Sequence, residues 1–201
     1  MKPKDIGLAY DQLTHLWLGE AFDRNNGITQ HRQAVAFLES KGHALDVGCG
    51  CSGRLFELFE AAGLTPEGVD ISAEMVAQAR SAYSNAILYH ADICQWQLPK
   101  SYALISAWDS LWHLPLEHHQ SVLQKLVEGL QPGGVLIFSF GGLDLPDEHC
   151  NSAMGPEIYY STLGVNGFVD AIRALGCQLK HLEFDQLPEK HCYLIAQKPQ
   201  T

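Results

Sequence analysis

The 201-residue sequence predicts an α/β protein, a three-layer αβα sandwich around a seven-stranded, mostly parallel sheet. Three observations predict it. Short apolar runs alternate with helix-period segments, as in parallel strands joined by crossover helices. A glycine-rich turn, Gly48-Cys49-Gly50-Cys51-Ser52-Gly53, follows the first such run and opens an amphipathic segment. Two closing β-type runs flank a turn around Pro188, the arrangement of an antiparallel hairpin.

Residues 1–43 carry apolar periodicity at Leu8, Leu13, Leu16 and Trp17 and again over Gln30–Leu38, so a helical cap precedes the sheet. Ala44–Val47 forms the first strand. Arg54–Ala62 follows as a helix with Leu55, Phe56, Leu58, Phe59 and Ala62 on its apolar face; Ser52 is its expected cap and Gly63 its stop. Glu67–Asp70 is a short second strand weakened by Pro66, and Ser72 caps a helix that buries Met75, Val76 and Ala79. Ile87–Ala91 and Ala103–Trp108 are the third and fourth strands. Pro115–Leu130 is the clearest amphipathic helix, with Val122, Leu123, Leu126, Val127 and Leu130 in register. Pro132-Gly133-Gly134 turns into a fifth strand, Val135–Phe140. Gly141–Tyr160 reads as a long connection of the kind that acts as a lid or binding loop. Asn166 is placed as the cap of a helix over Gly167–Leu175, and Gln178–Phe184 with Cys192–Gln197 close the sheet.

The length suits one domain. No linker divides it: 1–43 caps, 44–140 forms the ligand-binding half, 141–165 the substrate loop, and 166–201 the last helix and hairpin. A formal charge of −10 with only 13 Lys and Arg gives no footprint for nucleic acid or an anionic membrane. No apolar run approaches the ~20 residues that span a bilayer. The first residues lack a signal-peptide pattern, and six cysteines occur without a C-x-x-C pair. The expectation is a cytoplasmic protein with reduced thiols, no metal site and a small-molecule partner; the oligomeric state stays open.

Gly48, Gly50 and Gly53 fit the G-x-G-x-x-G fingerprint of dinucleotide binding. Asp46 stands two residues before the first of them, where a pyrophosphate would lie. Two like charges 4 Å apart repel by roughly 4 kcal/mol at an effective dielectric near 20. Asp70 ends the second strand and Asp92 follows the third, so three carboxylates converge on one crevice. A cofactor with an ammonium, a sulfonium and no phosphate suits them better, and S-adenosyl-L-methionine is such a molecule. Asp70 would hold the ribose hydroxyls and Asp92 the adenine amine, with Ile71, Met75 and Ile93 walling the ring.

In order and spacing, LDVGCGCSGR, VDISAEM, HADI and LQPGG resemble the class I S-adenosylmethionine-dependent methyltransferases from about residue 40 onward. The stretch from Ile105 to Phe140 is similar to the family's small-molecule branch. The resemblance implies a Rossmann-like sheet in the order 3-2-1-4-5-7-6 with the last strand antiparallel. It also implies contacts from Asp46, Gly48, Cys49 and Gly50 to the methionine moiety, from Asp70 to the ribose, and from Asp92 and Ile93 to the adenine. Trp108 would lie near the sulfonium, and Tyr10 matches an aromatic residue that folds over the cofactor. Two departures stand out: Ser52 occupies the usual place of the third glycine, and Ala103 replaces an acidic residue of the fourth strand.

Methyl transfer from a sulfonium is an in-line displacement, so a general base is needed only for a protonated nucleophile. Asp109 and His113 are the candidates for that role, Tyr159 and Tyr160 with His149 and Met154 for acceptor contacts. His118 and His119 are expected to be solvated. The fourth strand ends in Trp108-Asp109-Ser110-Leu111, without the Asn/Asp-Pro-Pro-aromatic box of enzymes that methylate amide or base nitrogens. The competing readings are an NAD(P)-dependent oxidoreductase on the same sheet and a non-catalytic S-adenosylmethionine-binding module.

Overall fold

The computed structural model describes Met1–Gln200. Three helices come first: α1 (Pro3–Asp11), α2 (Thr14–Leu18) and α3 (Ile28–Ala36). The sheet then builds through β1 (His43–Val47), α4 (Arg54–Ala61), β2 (Thr65–Asp70), α5 (Ala73–Ala82), β3 (Ile87–His90) and β4 (Tyr102–Ala107). It continues with α6 (His119–Glu128), β5 (Leu130–Gly141), β6 (Asp147–Asn151), β7 (Ile158–Thr162), α7 (Gly164–Ala174), β8 (Gln178–Phe184) and β9 (His191–Gln197). Seven strands form one sheet in the order β3-β2-β1-β4-β5-β9-β8, parallel except at the β9 pairings. This is the expected topology, the final strand running antiparallel.

Strand alternation divides the core between the two faces. Leu45, Val47, Ile105, Leu136 and Phe138 face Leu123, Leu126 and Phe168 of α6 and α7. Ala44, Leu104, Val135 and Ile137 face Ala34 of α3 with Leu55 and Phe59 of α4. Asp46 shares the Ala44 face by the same period of two and pairs in register with Ser106 of β4. Pro66 is accommodated because β3 pairs with β2 only from Glu67 onward, so its missing N–H interrupts no ladder on that side.

Four local expectations are corrected. The 141–165 segment is not a bare loop: β6 and β7 pair as a separate two-stranded sheet. Ile158, Tyr159, Ser161 and Thr162 are buried there, and Ile6, Ala9 and Leu13 of the N-terminal region pack on it. Ser52 does not cap α4. Gly53, at φ 61°, takes that position, and Ser52 is buried with its carbonyl accepting from Arg24 Nη1 and Tyr83 Oη, each at 2.9 Å. Asn166 lies inside α7, which starts earlier, where Thr162 Oγ1 accepts from Gly164 N at 3.0 Å. His119 is fully buried rather than solvated; it meets Ser161 Oγ at 2.8 Å, and burial pulls its pKa down to about 4. Ser72 does cap α5, accepting from Met75 N at 3.1 Å.

Candidate active site

Strand order reverses between β1 and β4, and an open α/β sheet gapes at its carboxyl ends at such a point. Two adjoining compartments open there. The smaller, about 100 Å³, is walled by Ile6, Val69, Ile71, Ala91, Ile93 and Leu114, with Asp92 at its edge. The larger, about 340 Å³, is lined by Asp46, Cys49, Gly50, Arg54, Met75, Trp108 and His191 among others. Tyr10, Gly48, Asp70, Asp109 and His113 border both.

The carboxylates at the strand tips divide between the two compartments, Asp46 in the larger, Asp92 in the smaller and Asp70 on both, and they differ in state. Asp70 Oδ2 accepts from Gly50 N at 2.8 Å and Oδ1 from Ser72 N at 2.9 Å. Burial raises its pKa while those N–H groups hold it down. A carboxylate offers about four lone-pair sites, so acceptor capacity remains for a ligand. Asp92 is tied into its own turn, Oδ1 accepting from Cys94 N at 2.9 Å and Oδ2 from Gln95 Nε2 at 3.2 Å. Asp46 is buried, and burial pushes its pKa up to about 7 against the pull of Arg54. Behind it, His31 Nδ1 meets the Gly27 carbonyl at 2.6 Å and Nε2 meets Ser106 Oγ at 2.8 Å. A carbonyl only accepts, so Nδ1 carries the proton and Nε2 accepts the single Ser106 hydroxyl proton. That proton is then unavailable to an ionised Asp46.

Two glycines give the loop its shape. Gly48 has φ 73°, and a Cβ there would stand 2.3 Å from Ser110 Cβ. Gly50 has φ 57° with nothing within 4 Å of a Cβ, so its bare edge faces the larger compartment.

The catalytic expectation for His113 is corrected. Its Nδ1 faces the Tyr159 carbonyl at 2.8 Å and must donate, leaving Nε2 as the acceptor. Nε2 takes Tyr10 Oη at 2.6 Å and Trp112 Nε1 at 3.0 Å. Burial lowers its pKa to about 4. A neutral imidazole with its one lone pair engaged twice is no free base; it anchors Tyr10 over the crevice. Tyr159 is corrected as well: its side chain packs away, its hydroxyl accepting from Leu116 N at 3.2 Å. Tyr160 lines the larger compartment with Met154, stacked on His149 at 5.3 Å. Met75 lines that compartment too, not the smaller one where Ile71 and Ile93 lie.

Asp109 follows β4 in the turn at its end, at φ 54°, the left-handed region a non-glycine residue rarely adopts. It is saturated. Asn26 Nδ2 donates to Oδ2 at 2.9 Å, and Ser139 Oγ and His191 Nε2 approach Oδ1 at 3.1 and 3.0 Å. Sequence reasoning missed His191, whose Nδ1 lies 2.5 Å from Asp185 Oδ1. Burial alone would lower its pKa, but Asp109 and Asp185 outweigh it and raise it. It missed Arg54 and Gln186 as lining residues also, and Asn26, whose Oδ1 accepts from Trp108 Nε1 at 3.2 Å. The polar Arg24-Asn25-Asn26-Gly27 turn was the one available signal; nothing in the sequence ties Asp185 and His191 to the fourth strand.

Residues 44–134 match the family model of a methyltransferase domain. The chain is 38% identical over 177 residues to a trans-aconitate 2-methyltransferase of Escherichia coli O1:K1 / APEC, covering 82% of this chain and 67% of that one. The Shigella dysenteriae serotype 1 (strain Sd197) protein of the same name is 30% identical over 170 residues, covering 78% and 66%. The chain thus spans about two thirds or less of the length of these curated relatives, 59% in Escherichia coli O157:H7. It belongs to the class I S-adenosylmethionine-dependent methyltransferases. Among solved structures, such an enzyme from Clostridium acetobutylicum ATCC 824 shares the fold at a TM-score of 0.73 and 12% identity, covering 95% of this chain and 99% of that one. The magnesium protoporphyrin IX methyltransferase from Synechocystis PCC 6803, solved with bound S-adenosylmethionine, reaches 0.73 at 18% identity, covering 98% of each.

The residues present fit the family's cofactor. The Gly50 edge leaves room for a ligand backbone-close, Asp70 keeps free lone pairs beside it, and the buried Asp46 lacks a cationic partner within ion-pair distance among the described residues.

Proposed function

We propose that this chain transfers a methyl group from S-adenosylmethionine to a small molecule held in the larger compartment. One observation carries the reading: Asp70, locked by Gly50 N–H and Ser72 N–H, borders both compartments with acceptor capacity to spare. A nucleoside fits across it, the base toward Ile71 and Ile93 and the aminoacyl end toward Asp46 and the glycine loop. The bound cofactor supplies an electrophilic methyl on sulfur.

The protein's part is to bind, align and exclude water. Tyr10, held by His113, covers the junction. Trp108 and Trp112 wall the acceptor side against His191, at ring distances of 5.3 and 5.6 Å. Asp109 is fixed in orientation there by Asn26, Ser139 and His191. The relatives' names give trans-aconitate as their acceptor, and a formal charge of −10 also supports a small acceptor over nucleic acid. A buried Asp46 near the end of β1, beside the glycine loop, disfavours a diphosphate, and with it the dinucleotide reading.

Calorimetric titration tests the reading. The wild-type protein is expected to bind S-adenosylhomocysteine and not NADH. Asp70→Asn should weaken that binding at least about tenfold, the loss of one charge-assisted contact. NADH binding without S-adenosylhomocysteine binding would overturn it.

A further inference from the structure

Two arginines occupy the corner where the polar turn of residues 24–27 meets α4, and they differ in what they hold. Arg24 is spent: Nη1 donates to the Ser52 carbonyl at 2.9 Å, and Nη2 reaches Glu57 Oε1 at 3.1 Å in an ion pair. Arg54 is not. Its Nε donates to the Asn26 carbonyl at 3.0 Å, and Nη1 makes one long contact, 3.5 Å, with Ser52 Oγ. A guanidinium has five N–H donors. No carboxylate lies within ion-pair distance of Arg54 among the described residues. Its charge rests 5.0 Å from the centre of the Phe22 ring, which fixes the fork in place, and it lines the larger compartment.

The acids that share this compartment meet that charge only at a distance: Asp46 attracts it most strongly but forms no ion pair with it among the described residues. Asp70 is engaged by the backbone and Asp109 by Asn26, Ser139 and His191. Burial pulls the Arg54 pKa down, so the free protein bears the cation at a cost. A half-buried guanidinium with no carboxylate in direct contact is stabilised by an anion that meets it, and its planar fork matches a carboxylate in bidentate fashion.

We infer that Arg54 is the carboxylate-binding residue of the cleft, presenting its unspent Nη donors to a ligand carboxylate in the larger compartment. The inference rests on the methyltransferase reading above. Two ligands bring such a group: the aminoacyl end of the cofactor, whose ammonium Asp46 would then face, and an acidic acceptor.

The experiment uses the full chain with Arg54→Gln and Arg54→Lys, after thermal melts show that both fold. Each protein is titrated with S-adenosylhomocysteine and with its decarboxylated analogue, and then, once saturated with S-adenosylhomocysteine, with trans-aconitate. If the carboxylate is the cofactor's, Arg54→Gln binds S-adenosylhomocysteine at least about tenfold more weakly, the decarboxylated analogue is unaffected, and Lys restores part of the loss. If it is the acceptor's, S-adenosylhomocysteine binding is unchanged and trans-aconitate binding is lost. An Arg54→Gln protein that matches wild type in all three titrations overturns the inference, as does equal weakening toward both nucleosides. Wild-type protein that binds no S-adenosylhomocysteine refutes the methyltransferase reading instead.

Discussion

Asp46→Asn should make the ligand-free protein more stable and a poorer binder at once. Asp46 is buried on the α3–α4 face, beside a Ser106 whose proton is committed to His31. Its pKa rises from an ordinary 3.8 to about 7, burial being the main cause. That difference corresponds to about 4 kcal/mol of unfavourable ionisation in the folded state, an upper figure because water reaches the open cleft. The folded protein therefore holds this proton more tightly than the unfolded chain does. Stability contributed at low pH is lost as pH rises from about 4 through about 7. Asparagine keeps the shape without the charge. In denaturant unfolding at pH 8, Asp46→Asn should exceed wild type by about 2–4 kcal/mol, with the gap closing toward pH 5. Its affinity for S-adenosylhomocysteine should fall at least about tenfold, since the anion that faces the ammonium is gone. Wild type and variant curves that run parallel from pH 5 to pH 8, or a variant less stable at pH 8, would refute the reasoning.

Two further outcomes follow from the hydrogen bonds around the crevice. Tyr10→Phe removes the 2.6 Å contact to His113 Nε2 and should cost about 1 kcal/mol, or about 2–4 °C in melting temperature, while raising the cofactor dissociation constant; an unchanged melt and unchanged affinity would show that the latch holds nothing. His191→Gln leaves Asp109 and Asp185 without the cation between them. Because the folded-state pKa of His191 is raised, its stabilisation is fully present below the ordinary value near 6.5 and fades as pH climbs past the folded value. The stability gap between wild type and His191→Gln should therefore be wide at pH 6 and narrow at pH 9, as unfolding curves at the two pH values would report.

Much of the molecule was readable from local pattern. Apolar periods of two and 3.6 are imposed by strand and helix geometry, so the alternation around Leu45, Leu123 and Phe56 already named the layers. Glycines at Gly48 and Gly50 announce a left-handed loop because side-chained residues avoid that conformation. Carboxylates ending successive parallel strands must share the sheet's carboxyl edge, so Asp46 and Asp70 were legible as neighbours. Tertiary structure alone decided the rest. The β6–β7 pair exists because α1 and its following turn cover Ile158 and Tyr159, a partnership across some 150 residues that no local period records. His113 looked like a base by position, yet a carbonyl from β7 fixed its tautomer, and the Tyr10 hydroxyl of α1 together with the neighbouring Trp112 indole took its lone pair. Asp109, His191 and Asp185 came together only when β9 was inserted antiparallel beside β5. Sequence fixes what a segment can become by itself; which donor meets which acceptor depends on distant chain arriving at the same place.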